Sequence, residues 1–535
     1  MERTDWLLTP AERDNPATAL DRRHGPDGPA WTEGNDVRPL VHGSTYFARL
    51  HEVVTGLGPG DLLCFTDWRG DPDERLTGED GSEVGQVFCA AAERGVVVKG
   101  LLWRSHLDGL AYSADENRHL GSDVNEAGGE VLLDQRVRPF GSHHQKLVVA
   151  RSEEVDVAFA GGIDLCHSRR DDADHGGDPQ GLRMSPEYGD TPPWHDVQLE
   201  VRGPAVGDLE TVFRERWDDP APLDNRARMA VERRLVKGLD TDASELPAQG
   251  PDPEPAGTCT VQVLRTYPAR RSPYPFAPRG ERSVAAAYRK ALRRARRFVY
   301  LEDQYLWSAE VADLFAEALT REPELHLVGV VPRYPDQGGR VGRPPNLVGR
   351  QDALDVVMRA GGDRVTVFDL ENHVGTPVYV HAKVCVVDDV WTSVGSDNLN
   401  MRSWTHDSEL SCAVLDESLD PRSPGDPGGL GDGARRFARE LRLQLWREHL
   451  DADHEAGLDD DLVDPASGLA RLRASATALD AWHDGGRVGP RPPGRLRTHR
   501  VDRLPGHTRA WARPLYHLVV DPDGRPRDGF RRTWQ

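Results

Sequence analysis

Two short strings in this chain set a lysine two residues after a histidine: HHQKLVV, carrying His144 and Lys146, and HAKVCVVDD, carrying His381, Lys383 and Asp388. Each opens an alternating apolar run, and each is followed by a glycine-rich turn with polar side chains, GGID at 161–164 and GSDN at 395–398. In an extended chain, residues two apart point to the same side, so each histidine projects together with its lysine. Two imidazoles and two ammonium groups in one cleft suit a phosphate diester. The ammonium groups neutralise the non-bridging oxygens, one imidazole attacks phosphorus, and the other protonates the departing oxygen. That division of labour calls for no metal and no cofactor. One such string would be a weak signal; two in matching surroundings mean a duplicated half-site.

An attacking imidazole must be neutral at its reacting nitrogen while its partner starts protonated, so each needs a group that fixes its tautomer. Asp196 in PWHDVQLEV and Glu409 in HDSELSCAVLD occupy matching places, each at the start of the strand that follows a glycine turn. They are the expected orienters. Asp164, Ser396 and Asn398 are expected to complete the hydrogen-bonding shell around the phosphoryl oxygens, and Glu302 and Gln304, alternating off the end of VYLEDQYLW, to line the cleft on the substrate side.

The elements that must position these residues repeat as well. DLLCFTDW (61–68) reads as a buried strand, SEVGQVFCAAAERG as a helix and VVVKGLLW as a second strand, the unit that builds a parallel sheet. Strand-like KLVVA, VDVAFAGG and DVQLEVRG follow, then a helix, GPAVGDLETVFRERWDD, with Val206, Leu209, Val212, Phe213 and Trp217 on one face. The order recurs from TVQVL to the helix GARRFARELRLQLWREHL. The repeat predicts an α/β fold: a duplicated α/β/α sandwich, two similar lobes about a pseudo-twofold axis, with the active site between them. Residues 1–40 read as an N-terminal arm, 41–220 as the first lobe, 221–258 as a Pro- and Asp-rich linker, 259–455 as the second lobe and 456–535 as a C-terminal extension, Arg-rich from 487.

A net charge of −21 gives no basic footprint for gripping a polyanion, which makes nucleic acid an unlikely partner. From Arg487 onward twelve Arg stand against four Asp; such a tail could meet anionic headgroups or pair with the acidic body. The six Cys lack zinc or redox spacing and read as reduced, buried small hydrophobes. No signal peptide and no membrane span are expected, so the prediction is a cytoplasmic protein, peripheral at a membrane surface.

In HHQKLVV, AFAGGIDLC, PWHDVQLEVRGPA, VYLEDQYLW, HAKVCVVDD and GSDNLNMRSW the sequence resembles the phospholipase D superfamily, whose mark is two His-x-Lys-(four residues)-Asp motifs. HHQK followed by GGIDLC and PWHDV is most similar to its phosphatidyl-hydrolysing branch. The resemblance implies paired α/β/α sandwiches and a two-step reaction through a covalent phosphohistidine, metal-independent, on a glycerophospholipid. His144 matches the usual nucleophile and His381 the general acid and base. Water as acceptor would give hydrolysis and an alcohol headgroup exchange. Alternatives within the family are a phosphatidyltransferase of the cardiolipin synthase kind and a nuclease; outside catalysis stands a phosphate- or lipid-binding relative with a degraded first half-site.

The first motif departs from the pattern: Arg151 stands where the family has Asp, with Glu153, Glu154 and Asp156 close behind as substitutes. The family Asp, matched here by Asp388, is read as a support, so activity is expected to survive. In VYLEDQYLW, Asp303 stands where the family often has Asn. His143, His175 and His195 are read as structural histidines. The polar stretch from Ser168 to Trp194 reads as a lid or a mobile surface loop, and Arg333, Arg340 and Arg343 as arginines within reach of a phosphate.

Overall fold

A computed structural model describes the chain except residues 26–27, 106–113, 225–242, 337, 339–341, 453–457, 502, 529–530 and 533–535. The strands that carry the two motifs are buried on both faces. In β2 (Leu62–Asp67) and β5 (Leu147–Arg151), Leu62, Cys64, Leu147 and Val149 face a central core, while Leu63, Phe65, Val148 and Ala150 face an outer one. Their counterparts β11 (Phe298–Asp303) and β15 (Lys383–Val387) divide the same way, with Phe298, Tyr300, Val384 and Val386 inward and Val299, Leu301, Cys385 and Val387 outward. Continuous Val, Leu and Phe runs are what a sheet covered on both sides requires.

The first sheet runs β1 (Thr32–Val41), β8 (Val197–Arg202), β6 (Asp156–Gly161), β5, β2, β3 (Val97–Trp103), β4 (Glu130–Asp134). The second repeats it as β9 (Cys259–Tyr267), β17 (Glu409–Asp416), β16 (Trp391–Gly395), β15, β11, β12 (His326–Val330), β13 (Val365–Glu371). Within these two strand orders β2–β3–β4 and β11–β12–β13 run parallel, through crossover helices, and the motif strands pair antiparallel. β1 also pairs with β9, so the sheets are joined at one edge.

Helices Ala205–Trp217 and Arg436–His449 lie between the two sheets. The sequence placed the apolar residues of the first on one face, yet Asp208, Glu210, Thr211 and Arg216 are buried too, because this helix meets a sheet on either side. Its charges are therefore paired, Glu210 with Arg151 and Arg214, and Arg216 with Asp134. The layers run α/β/α/β/α: the duplicated sandwich, with its closing helices in a common middle layer.

Segments read as peripheral join these layers. Thr32–Val41, which the sequence reading divided between the arm and the first lobe, is a sheet strand, and Trp6, Leu7 and Leu8 pack into the second lobe's outer core beside Val284, Ala287 and Tyr288. Gln262 fixes them by exchanging hydrogen bonds of 2.8 Å with the Leu8 backbone N–H and carbonyl. Much of the 221–258 stretch lies outside the described residues, but Leu246 enters the central core. In the extension, β18 (Leu496–Thr498) pairs with β13. Its arginines pair with the body, Arg495 with Asp451, Arg497 with Glu371, Arg503 with Asp355, Arg509 and Arg513 with Asp352, and Arg497 also pairs within the extension with Asp480. All six cysteines are unpaired. Among the described residues no helix is long and apolar enough to cross a membrane.

If the middle layer holds both sheets, truncating Phe213, buried against Trp217 between them, costs about 3–5 kcal/mol in chemical denaturation. The exposed Phe140, treated the same way, changes stability by less than about 0.5 kcal/mol.

Candidate active site

Both motif histidines sit where one lobe hydrogen-bonds to the other. β7 (Trp194–His195) of the first lobe pairs in parallel with β14 (Pro377–Val380) of the second, and the backbone N–H of His381 donates to the carbonyl of His195 at 2.8 Å. On the other side His143 bridges to Ser408, and the N–H of His144 donates to the Ser408 carbonyl at 2.9 Å. The residues that follow these two carbonyls are Asp196 and Glu409. Each turns its carboxylate onto the imidazole of the opposite lobe: Glu409 Oε2 is 2.8 Å from His144 Nδ1, and Asp196 Oδ2 is 2.6 Å from His381 Nδ1. With Nδ1 so engaged, Nε2 of each ring is left for chemistry. His144 keeps 15 % of its side-chain surface exposed and His381 5 %, so the site opens on the His144 side.

The lysines follow their histidines as the strand period requires, but their partners differ. Lys146 Nζ forms a 3.0 Å ion pair with Asp164 and donates to the His144 carbonyl. Lys383 donates to Gln304 Oε1 at 3.2 Å and to the His381 carbonyl. Asn398 holds the place in the second turn that Asp164 holds in the first, and its Oδ1 is buried without a hydrogen-bond partner. Ser396 donates to Glu409 at 2.6 Å and accepts from the Leu410 N–H. Its counterpart is Gly162, where a Cβ would lie 2.1 Å from Asp196 Oδ1; glycine there leaves the carboxylate room.

Burial governs the electrostatics. Desolvation, reinforced by Lys146, holds the His144 imidazole well below its ordinary range, and desolvation with Lys383 and Arg169 does the same to His381. Desolvation and nearby Asp407 push Glu409 up to about 8. Asp164 is the exception: burial would raise it, but Lys146 and Arg169 outweigh that and hold it well below the usual carboxylate range. Lys383 is pushed down to about 8, by burial and by Lys146.

Some of the expected residues stand elsewhere than the sequence suggested, and others act as supports. Glu302 does not line the cleft; it lies behind the site, 2.7 Å from both His195 Nε2 and His449 Nε2, and accepts from Tyr300. Gln304 is held between Lys383 and the Tyr379 hydroxyl, so it positions the lysine. Asp388, at the far end of β15, accepts from the N–H groups of Arg296, Arg297 and Phe298 and so pins the start of β11. Arg151, at the same place on β5, bonds Asp156 and Glu210; Asp156 therefore pairs with Arg151 and does not stand in for the missing aspartate. The 168–194 stretch is irregular yet anchored, with His175, Asp178 and Tyr188 buried and Tyr188 packed edge-on to Tyr379. Arg333 is paired with Asp369 and Arg343 with Glu187, while Arg340 lies outside the described residues.

Asp67 and Arg169 escaped the sequence reading, and Asp303 was noted there without a role. Asp67 and Asp303, at matching ends of β2 and β11, anchor the glycine turns by accepting from the N–H groups of Leu165 and Leu399. Arg169 pairs with Asp164 and lies 3.9 Å over the Trp194 ring, which in turn packs on His381. The repeat itself was the available signal for Asp67, since TDW aligns with EDQ; Arg169 had none.

The family model for phospholipase D matches residues 71–314, covering the first motif, and that for the cardiolipin synthase, PLD-like domain matches 288–420, covering the second. The chain belongs to the phospholipase D superfamily. Among similar proteins are phospholipase D alpha 1 of Cynara cardunculus, 26 % identical over 77 % of this chain and 63 % of that protein, and phospholipase D beta 2 of Arabidopsis thaliana, 23 % identical over 97 % and 66 %. The chain thus spans less than two thirds of these relatives. A phosphatidylserine synthase from Haemophilus influenzae shares the fold, with a TM-score of 0.50 at 11 % identity over 91 % of this chain and 94 % of that one.

If the crossed carboxylates fix the tautomers, Asp196→Asn and Glu409→Gln each lower kcat about 10²–10⁴-fold with a far smaller change in KM, measured on a soluble chromogenic phosphodiester. Arg151→Asp, remote from the rings, leaves kcat within about twofold.

Proposed function

We propose that this chain is a phospholipid-directed phosphodiesterase of the phospholipase D type, transferring a phosphatidyl group to water or to an alcohol through a phosphohistidine. The observation that carries this is the crossed arrangement in which each imidazole, beside its lysine, is bound at Nδ1 by a carboxylate from the other lobe. A diester seated between Lys146 and Lys383 has its non-bridging charge neutralised. His144 Nε2 attacks phosphorus as its Nδ1–H donates to Glu409, which stabilises the imidazolium as the N–P bond forms. The diester's negative charge opposes the desolvation that keeps His381 neutral in the empty cleft, so the ring binds a proton, gives it from Nε2 to the departing oxygen as the P–O bond breaks, then takes one from the incoming water or alcohol, whose oxygen displaces His144. The Asn398 amide is the proposed donor to a phosphoryl oxygen.

A lipid substrate is favoured over nucleic acid by the surface near His144. Phe140, four residues before it, is 60 % exposed, and Leu518 and Val519 are 68 % and 51 % exposed. Arg402 ties these regions together, donating to the Val519 and Val520 carbonyls and pairing with Asp407, which holds Ser142. An apolar rim beside an acidic body suits a bilayer and repels a polyanion.

The test is headgroup release from mixed phospholipid vesicles by wild type, His144→Ala and His381→Ala, with intact-mass analysis of each protein on a diester bearing an activated leaving group. Release abolished by both changes, with one phosphoryl adduct trapped on His144 in His381→Ala, is the expected result. An adduct only in His144→Ala would reverse the two roles, and no adduct or turnover on any diester would sink the catalytic reading. Phe140→Ser with Leu518→Ser should cut vesicle turnover about tenfold while a soluble short-chain substrate is turned over normally.

Lys383 sets a pH limit. It faces His381, Asp196, Asp303, Asp164 and Lys146, and is charged below about 8 and neutral above, so kcat/KM should fall as pH rises through that value. A bound phosphate favours the ammonium, so the kcat limb lies higher. In Lys383→Arg, whose guanidinium does not titrate there, the limb should vanish even as kcat drops; a limb unmoved by that change assigns it elsewhere.

A further inference from the structure

Directly behind His381 is a second constellation with no part in the proposed reaction. His42 precedes the helix Gly43–Gly56, His175 lies in the 168–194 stretch, His195 is in β7 and Glu448 is in the middle-layer helix Arg436–His449. His175 and His195 are fully buried, and His42 and Glu448 each retain 5 % exposure. The two oxygens of Glu448 reach all three rings: Oε2 is 2.9 Å from His42 Nε2, and Oε1 is 3.2 Å from both His175 Nε2 and His195 Nδ1. One donor atom from each of the four residues lies within 4.8 Å of the others. His195 Nδ1, though near Glu448, is out of line for a hydrogen bond and has no other partner.

We propose that His42, His175, His195 and Glu448 form a structural site for one divalent transition cation, zinc by ligand type. Nitrogen and carboxylate ligands about 2.0–2.2 Å from a tetrahedral ion stand about 3.3 Å from each other; here the nitrogen–oxygen distances are 2.9 and 3.2 Å, to the two oxygens of Glu448, and the donor set spans up to 4.8 Å. Three imidazoles on such an ion have ring centres about 5.2 Å apart. The rings of His42, His175 and His195 are 5.1, 5.3 and 5.7 Å apart, each pair nearly edge-on. One outer nitrogen is placed as a metal-bound histidine needs it: His195 Nε2 meets Glu302 Oε2 at 2.7 Å, while His175 Nδ1 stands 3.7 Å from Asp171 Oδ2, beyond hydrogen-bond distance, and His42 Nδ1 is buried without a partner. A carboxylate behind the imidazole fixes the tautomer that presents a lone pair to the ion. Three ligands come from the first lobe and one from the second, so the ion clamps the seam. Its reach to the active site is short: His195 supplies the carbonyl that holds His381, and the next residue is Asp196.

The experiment uses the full chain, purified without a histidine tag or chelator. Its metal content is measured by plasma mass spectrometry, and a chelator-stripped sample is titrated with Zn²⁺ and Co²⁺. The expected result is about one zinc per chain, a Tm that falls on stripping and returns with zinc, and tetrahedral Co²⁺ absorption bands between about 500 and 700 nm. His175→Ala and Glu448→Gln should lose the bound metal, whereas His373→Ala, an exposed histidine, retains it. Should the Glu448 variant fail to fold, the Co²⁺ spectrum of the stripped wild type still decides. A folded wild type that holds no stoichiometric metal, shows no Tm response to zinc and gives only octahedral Co²⁺ absorption would overturn the proposal and leave a proton-sharing network of histidines on Glu448.

Discussion

Each motif imidazole is held by an acid from the other half of the molecule, and the rest of the architecture follows from that crossing. The interaction is short and directional, 2.8 Å in one pair and 2.6 Å in the other. A shift of one lobe against its partner by even 1 Å would break both pairs together. The seam therefore has to be rigid, and it is built so. Two backbone bridges pass beside the histidines, the sheets are joined through β1 and β9, and two helices are buried between the sheets. A single lobe would hold a histidine and a lysine but not the acid for that histidine.

Within this symmetric frame the two half-sites have diverged. Lys146 is paired with Asp164, whereas the equivalent turn of the second lobe carries Asn398 in place of that acid and Lys383 bonds Gln304 instead. Ser396 steadies Glu409, whereas Gly162 only leaves space for Asp196. One imidazole opens toward solvent and the other is packed beneath Trp194. Two equal half-sites could not divide attack and protonation between them; these differences break the equivalence.

Much of this was legible in the sequence because it rests on period and repetition. Buried strands announce themselves as apolar runs, the strand period puts Lys146 with His144, and duplicated frames locate Asp196 and Glu409 at equivalent places. The crossing of the carboxylates was not legible, since matching places do not tell which histidine each acid meets. Glu302 was misread for a related reason: its strand-end position suggests a cleft, but only tertiary packing shows His195 and His449 already on it. His42, His175, His195 and Glu448 come from four separate segments, and no spacing connects them. The middle-layer helix was read as amphipathic because a sequence shows one apolar stripe and does not reveal a second sheet overhead.

The packing of Trp6, Leu7 and Leu8 bears on the order of events during synthesis. These residues leave the ribosome ahead of everything they touch, and their partners Val284, Tyr288 and Trp391 emerge hundreds of residues later. At translation speeds of about 5–20 residues per second, a tryptophan and two leucines stay solvent-exposed for tens of seconds while the first sheet folds beside them. Until the second lobe arrives, this greasy N-terminal end has nowhere to go, so it is the segment for which a nascent-chain chaperone would matter most.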